Sequence, residues 1–246
     1  MFSLSQLDLS YEPYPHGIAS PLFSDSLYKD LVAAFPDRDL FGQNRINFKY
    51  VLSVRVNRRQ YHRFLRSSPL WMSFYRWVKS DEFIARVLEE LRSRHVDLGY
   101  RQRPALQRTL RRLAYGLSGR RDFHTSLTSR FEFSMLPADG GSVIPHTDSP
   151  GKIVTLILPM VADGEWDRNM GGNTDINTPR DDRLRFNGVN GKARFEEMDV
   201  SSSLAFEPNQ ALLFVRTYNS WHSVRPMHAE GSSAMRKTVT VTILER

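Results

Sequence analysis

Two histidines and one aspartate have the types and the spacing to hold a metal ion. His146 and Asp148 stand two residues apart in SVIPHTDSPG, just before the apolar run Ile153–Leu158. Side chains at i and i+2 of an extended segment project from the same face, so the imidazole and the carboxylate can converge on one ion. The spacing alone is a weak signal, because a chain with this many histidines and aspartates holds about half an H-x-D by chance. Context strengthens it. In FEPNQALLFVRTYNSWHSVRPM the apolar strand Ala211–Val215 leads through a polar turn to His222, so a third ligand can arrive on a neighbouring strand. Two imidazoles and one carboxylate on one face leave three adjacent coordination positions open, an arrangement characteristic of oxygen-activating non-haem Fe(II). Three open positions suit a bidentate cosubstrate together with dioxygen.

Composition narrows the other options. The chain of 246 residues has no cysteine, so disulfides, cysteine-containing metal sites and a cysteine nucleophile are excluded. Any metal must be held by histidines and carboxylates. No G-x-S-x-G elbow is present, which disfavours a Ser-His-Asp hydrolase. His228, in the loop-like PMHAEGSSAM, reads as an exposed histidine with no further task, and Glu132 as a structural charge on the strand before the H-x-D.

The elements that must position these residues divide the chain. Helical signals dominate the first half: Ser24 can cap a segment carrying Leu27, Leu31, Val32 and Phe35, which Pro36 ends. Trp71, Phe74, Trp77 and Val78 predict a second helix, and Phe83, Val87, Leu88 and Leu91 a third, capped by Ser80. A fourth is expected near Pro104, with Leu106, Leu110 and Leu113 on one side. From about residue 128 the period changes to short β-type runs, Phe131–Met135, Ile153–Leu158, Ala211–Val215 and Thr238–Ile243, which read as a sandwich or barrel. The stretch from Asp163 to Asn190, including GGNTDINTPRDD, reads as a long irregular insertion. The N-terminus lacks the pattern of a signal peptide and no apolar run reaches the length of a membrane span, so a cytoplasmic protein is expected.

Charge is unevenly spread. The formal net charge is +7, but residues 1–121 hold 21 Lys+Arg against 11 Asp+Glu, while residues 122–246 hold 13 against 16. Arg55, Arg58, Arg59, Arg63 and Arg66 form one acid-free run, and Arg101, Arg103, Arg108, Arg111, Arg112, Arg120 and Arg121 another. Two readings stand: a solvated basic face on surface helices, or attraction to an anionic substrate, membrane surface or nucleic acid.

Taken in order, His146-Thr147-Asp148, the strand KIVTLILPM with Trp166 and Gly171-Gly172 behind it, Pro208-Asn209, Trp221-His222, Val224-Arg225-Pro226 and Arg236-Lys237-Thr238 make the sequence resemble the Fe(II)/2-oxoglutarate-dependent oxygenase superfamily, in its prolyl-4-hydroxylase-like branch. The N-terminal EPYPHGIASPLFSDSLYKDLVAAFP resembles the opening of such proteins more loosely. The resemblance implies a mainly β fold with flanking helices, a double-stranded β-helix (jelly roll, cupin-like). On that basis residues 1–246 are expected to form a single domain, with N-terminal helices and flanking strands over 1–127 and the jelly-roll core over 128–246. It further implies Fe(II) at His146, Asp148 and His222, with 2-oxoglutarate and O2 as cosubstrates and ascorbate as a reductant. Decarboxylation would release succinate and CO2, and an unactivated C–H bond of the substrate would be hydroxylated. The carboxylate of Asp148 favours hydroxylation over halogenation, because related halogenases carry a small residue there.

The family pattern also places a cation for the distal carboxylate of 2-oxoglutarate on the last core strand, where Arg225, Arg236 and Lys237 are the candidates. Arg225 follows His222 too closely. Strand parity puts Arg236, Thr238, Thr240 and Thr242 on one face and Lys237, Val239, Val241 and Ile243 on the other. A hydroxyl beside a bidentate guanidinium is the better carboxylate clamp, which selects Arg236 assisted by Thr238 and keeps Lys237 as the alternative. The substrate is left open among a peptide residue, a natural-product intermediate and an anionic envelope sugar such as Kdo. Peripheral membrane contact also stays open, nucleic acid is disfavoured, and the oligomeric state is undetermined. The competing function class is a non-redox jelly-roll module for sugar binding or isomerisation.

Overall fold

The computed structural model describes residues 2–43, 49–100 and 127–245. The N-terminal part supplies strands β1 (Leu7–Ser10), β2 (His16–Ala19), β3 (Gly42–Gln43) and β4 (Tyr50–Leu52), and helices α1 (Asp25–Ala33), α2 (Arg58–Ser67), α3 (Pro69–Val78) and α4 (Asp81–Ser93). Eight further strands follow: β5 (Leu127–Pro137), β6 (Val143–His146), β7 (Lys152–Pro159), β8 (Thr174–Pro179), β9 (Met198–Leu204), β10 (Ala211–Val215), β11 (His222–Val224) and β12 (Met235–Glu245).

These strands form two antiparallel sheets. The larger has the order β1-β2-β10-β7-β12-β5-β4-β3 and the smaller β6-β11-β8-β9. Between β5 and β12 the chain passes repeatedly from one sheet to the other, so that β5, β7, β10 and β12 lie side by side in the first and β6, β8, β9 and β11 make up the second. That winding is a double-stranded β-helix, a jelly roll built from two Greek keys.

Alternation along the strands separates core from cavity. On β12, Val239, Val241 and Ile243 are fully buried in the main hydrophobic cluster, while Arg236, Thr238, Thr240 and Thr242 share the opposite face. On β5, Phe131 and Phe133 turn toward the helices. Trp71 meets Phe133 edge-on at 4.8 Å and Phe74 meets Phe131 at 5.2 Å, the geometry aromatic quadrupoles favour. The helical stripes form α1, α3 and α4, and the Ser80 hydroxyl accepts the Phe83 N–H at 3.2 Å, an N-cap for α4.

Helix α2 gave no stripe to read, because its surface is mostly arginine. It docks through buried Tyr61 and Leu65, with the Tyr61 hydroxyl donating to the Phe131 carbonyl at 3.1 Å. The expected insertion from Asp163 to Asn190 needs correction. It contains β8, a paired strand in the middle of the smaller sheet, between β11 and β9. Its polar sequence TDINTP hides a buried strand because Asp175 and Asn177 find partners: Arg225 at 2.7 Å and Ser203 at 2.6 Å for the first, Ser223 at 2.9 Å for the second. The expected helix near Pro104 and the arginine run from Arg101 to Arg121 lie outside the described residues. Among the described residues, no helix is long and apolar enough to cross a membrane.

Candidate functional site

His146 closes β6 and His222 opens β11, and the pairing of those strands sets the two residues directly opposite each other. Their ring centroids are 4.2 Å apart. Each Nδ1 faces a backbone carbonyl two residues upstream, Ile144 at 3.0 Å and Ser220 at 3.1 Å. Donating from Nδ1–H fixes the tautomer and leaves each Nε2 lone pair for a metal.

Asp148 lies just past the end of β6. Thr155 on β7 donates its hydroxyl to Asp148 Oδ2 at 3.0 Å, Lys152 pairs with Oδ1, and Arg216 Nε donates to the Asp148 carbonyl at 3.3 Å. Between His146 and Asp148, buried Thr147 turns away and donates its hydroxyl to the Val189 carbonyl at 3.0 Å. The ligand atoms of His146, Asp148 and His222 all lie within 4.8 Å of one another.

Electrostatics keep both imidazoles neutral and the carboxylate ionised. Burial, reinforced by the His222 charge when that ring is protonated, pushes the His146 pKa down to about 3, and burial pushes His222 down as well. Both imidazoles are therefore neutral at neutral pH. Burial raises the Asp148 carboxyl, but its cationic neighbours, His222 when protonated and Lys152, outweigh it and bring the pKa to about 2. His222 is held from behind: Tyr14 donates its hydroxyl to the Trp221 carbonyl at 2.8 Å, Trp221 Nε1 donates to the Leu184 carbonyl at 3.1 Å, and the Phe214 ring lies 4.3 Å from the imidazole.

The triad lines a cavity of about 120 Å³ between the sheets, with Leu136, Ile157, Phe214 and Val224 as apolar walls. Arg236 and Thr238 line the same cavity. Arg236 is buried; its Nε donates to the Gly172 carbonyl at 2.6 Å, its Nη2 to Thr174 Oγ1 at 3.3 Å, and its guanidinium sits 4.4 Å from the Phe206 ring centroid. Among the described residues no carboxylate stands within ion-pair reach of it, and burial lowers its pKa to about 9. Thr238 shares a hydrogen bond of 2.8 Å with Ser134.

The other sequence candidates lie elsewhere, Glu132 excepted. Lys237 points to the opposite face and pairs with Glu165. Arg225 is largely exposed on the smaller sheet, bound to Asp175. His228 is an exposed loop residue bridging to Asp139. Glu132 turns into the cavity wall and pairs with Lys49 at 3.9 Å.

Sequence reasoning missed Thr155, Lys152, Thr174 and the Gly172 carbonyl. Thr155 was visible as the lone hydroxyl inside KIVTLILPM, while Thr174 was hidden in the supposed insertion. Gly172 has φ +86, and a Cβ there would fall 2.9 Å from Trp166 and 3.2 Å from Arg236 Cδ, so a glycine is required.

No family model matches the sequence, and no curated protein matches it. Solved structures resemble it at the level of architecture. A prolyl hydroxylase from Trichoplax adhaerens, in complex with a hypoxia inducible factor peptide fragment, is 15% identical over 93% of this chain and 82% of that one, with a TM-score of 0.49. A Pseudomonas putida prolyl-4-hydroxylase is 11% identical over 94% of this chain and 92% of that one, with a TM-score of 0.49. The non-heme alpha ketoglutarate dependent epimerase SnoN is 10% identical over 93% and 76%, with a TM-score of 0.48.

Proposed function

We propose that this chain is a non-haem Fe(II)/2-oxoglutarate-dependent dioxygenase that hydroxylates a C–H bond of a small-molecule, glycan or peptide substrate. The observation that carries the reading is one cavity lined by two unlike sets: the His146, Asp148 and His222 triad, and the buried Arg236 guanidinium, which has no carboxylate partner among the described residues.

The donor set fits Fe(II). Two neutral imidazoles with Nε2 aimed inward and one ionised carboxylate make a facial set of the 2-His-1-carboxylate type. The Arg236 pocket fits a carboxylate, since a guanidinium buried among neutral acceptors carries an uncompensated charge that an incoming anion relieves. When bound, Fe(II) and 2-oxoglutarate supply the oxygen activation, with succinate and CO2 as coproducts.

The protein's own contribution is placement. Arg236, held by Gly172 and Thr174 and flanked by Thr238, takes the distal carboxylate of 2-oxoglutarate and sets how deep the cosubstrate sits. Thr155 and Lys152 each hold one oxygen of the Asp148 carboxylate and so fix its orientation beside the two imidazoles. Phe214, Val224 and Ile157 keep the cavity wall apolar, which limits water around the reacting atoms.

Aerobic incubation with Fe(II), 2-oxoglutarate and ascorbate tests the reading. Succinate should form with the wild-type chain and be lost with Asp148→Ala. A chain that binds sugars but yields no succinate is the non-redox jelly-roll module instead.

A further inference from the structure

The cavity side of the larger sheet carries a second guanidinium with no ion-pair partner among the described residues, on β5. Arg130 lies on the same face of β5 as Glu132, Ser134 and Leu136, which line the cavity. In register it stands opposite Thr242 of β12, and Thr242 stands opposite Thr155 of β7, the residue that bonds Asp148. Three adjacent strands thus carry a row from Arg130 to the triad.

The Arg130 side chain is half-buried, and among the described residues it makes no hydrogen bond or ion pair. The two carboxylates nearest in the electrostatics are engaged elsewhere: Glu132 with Lys49 at 3.9 Å, and Asp148 with Lys152 and Thr155. Lys49 and Lys152 line the cavity itself, so the space that Arg130 flanks is already bordered by cations. Burial and the nearby positive charge of Arg55 both work against the Arg130 charge, lowering its pKa. A side chain held in that position without a counter-ion is costly to the free protein and well suited to meeting an anion.

We infer that Arg130 binds an oxyanion of the substrate, a carboxylate or a phosphate, at the opening of the cavity and so orients a small acidic molecule toward the triad. The inference rests on the oxygenase reading for what happens next, but the anion site itself is separable from it. Arg236 serves the cosubstrate deeper in the same cavity, and Arg130 serves the substrate nearer the surface. Carboxylate and phosphate share the planar or tripodal oxygens that a guanidinium grips in a bidentate way, and the two are told apart by probe.

Isothermal titration of the 246-residue chain with inorganic phosphate and, separately, with benzoate tests it. Arg130→Gln should weaken at least one probe about tenfold to a hundredfold, as loss of a charge-assisted contact does. Arg130→Lys should recover part of that loss, which guards against a variant that simply folds poorly. Arg86→Gln, an exposed change on α4, should bind like wild type and excludes a general charge effect. A phosphate-selective loss assigns phosphate esters and a benzoate-selective loss assigns carboxylic acids. Equal affinities in wild type and Arg130→Gln for both probes overturn the inference. Succinate formation by the wild type is read in parallel: none, with the Arg130 effect intact, removes the oxygenase reading alone, and succinate with no Arg130 effect removes the anion site alone.

Discussion

His146 and His222 are cross-strand partners, and each aligns its ring by donating Nδ1–H to the carbonyl two residues before it. The same local geometry, repeated on two antiparallel strands, points two Nε2 atoms at one place. Replacing either histidine should therefore remove one ligand without disturbing the other. Anaerobic Fe(II) titration of His222→Ala should show affinity reduced by two or more orders of magnitude, and wild-type affinity would exclude His222 as a ligand.

For the cosubstrate, Arg236→Ala should raise the 2-oxoglutarate requirement about tenfold to a hundredfold and leave Fe(II) binding nearly unchanged. Lys237→Ala, which breaks an ion pair on the opposite face, should leave the requirement alone. The reverse pattern in a 2-oxoglutarate titration would assign the role to Lys237.

Gly172→Ala should reproduce part of the Arg236 defect from a distance. The added methyl meets Trp166 and Arg236 Cδ, and the positive φ penalises any side chain. The expected readout is a raised 2-oxoglutarate KM with smaller loss of kcat.

Acid should begin to destabilise the metal-free chain at a pH above that where its carboxylates titrate. His146 has a folded pKa near 3 against about 6.5 when unfolded, so between those values the unfolded chain binds the extra proton. Stability is then full above pH ~6.5 and falls toward pH ~3, by an amount on the order of a few kcal/mol. Urea midpoints across that window should flatten in His146→Gln, and parallel curves for the two proteins would refute the assignment.

Behind the sheet, Phe133→Ala should cost about 3–5 kcal/mol in urea unfolding, because it opens a cavity among Trp71, Phe131 and Phe64. A cost below about 1 kcal/mol would mean the aromatic layer collapses to fill the space.

The sequence was most legible where periodicity and chemistry coincided. On β12 a period of two separates the valines from Arg236 and Thr238, and the structure keeps that separation. Ala211–Val215 was readable as an apolar run because both faces of β10 are covered. β8 was not readable, since a buried strand made of Asp175 and Asn177 has the composition of a loop until Arg225 and Ser223 are placed beside it. Helix α2 failed for a related reason: two anchor residues among arginines leave too narrow a stripe to see. The triad needed only an H-x-D and one remote histidine, whereas Thr155 and Gly172 act through contacts that no local pattern reveals.

The hydrogen bond from Tyr14 to the Trp221 carbonyl joins residues 207 positions apart. Closing a loop of that length costs chain entropy before the contact repays it. The segment that carries His222 is thus tied both to its neighbours β6 and β8 and to the N-terminal part of the chain. In an unfolded chain His146 and Asp148 stay neighbours along the backbone, whereas the imidazole of His222 reaches them only through the pairing of β11 with β6. The complete triad is therefore a property of the folded molecule, and loss of the fold disperses it.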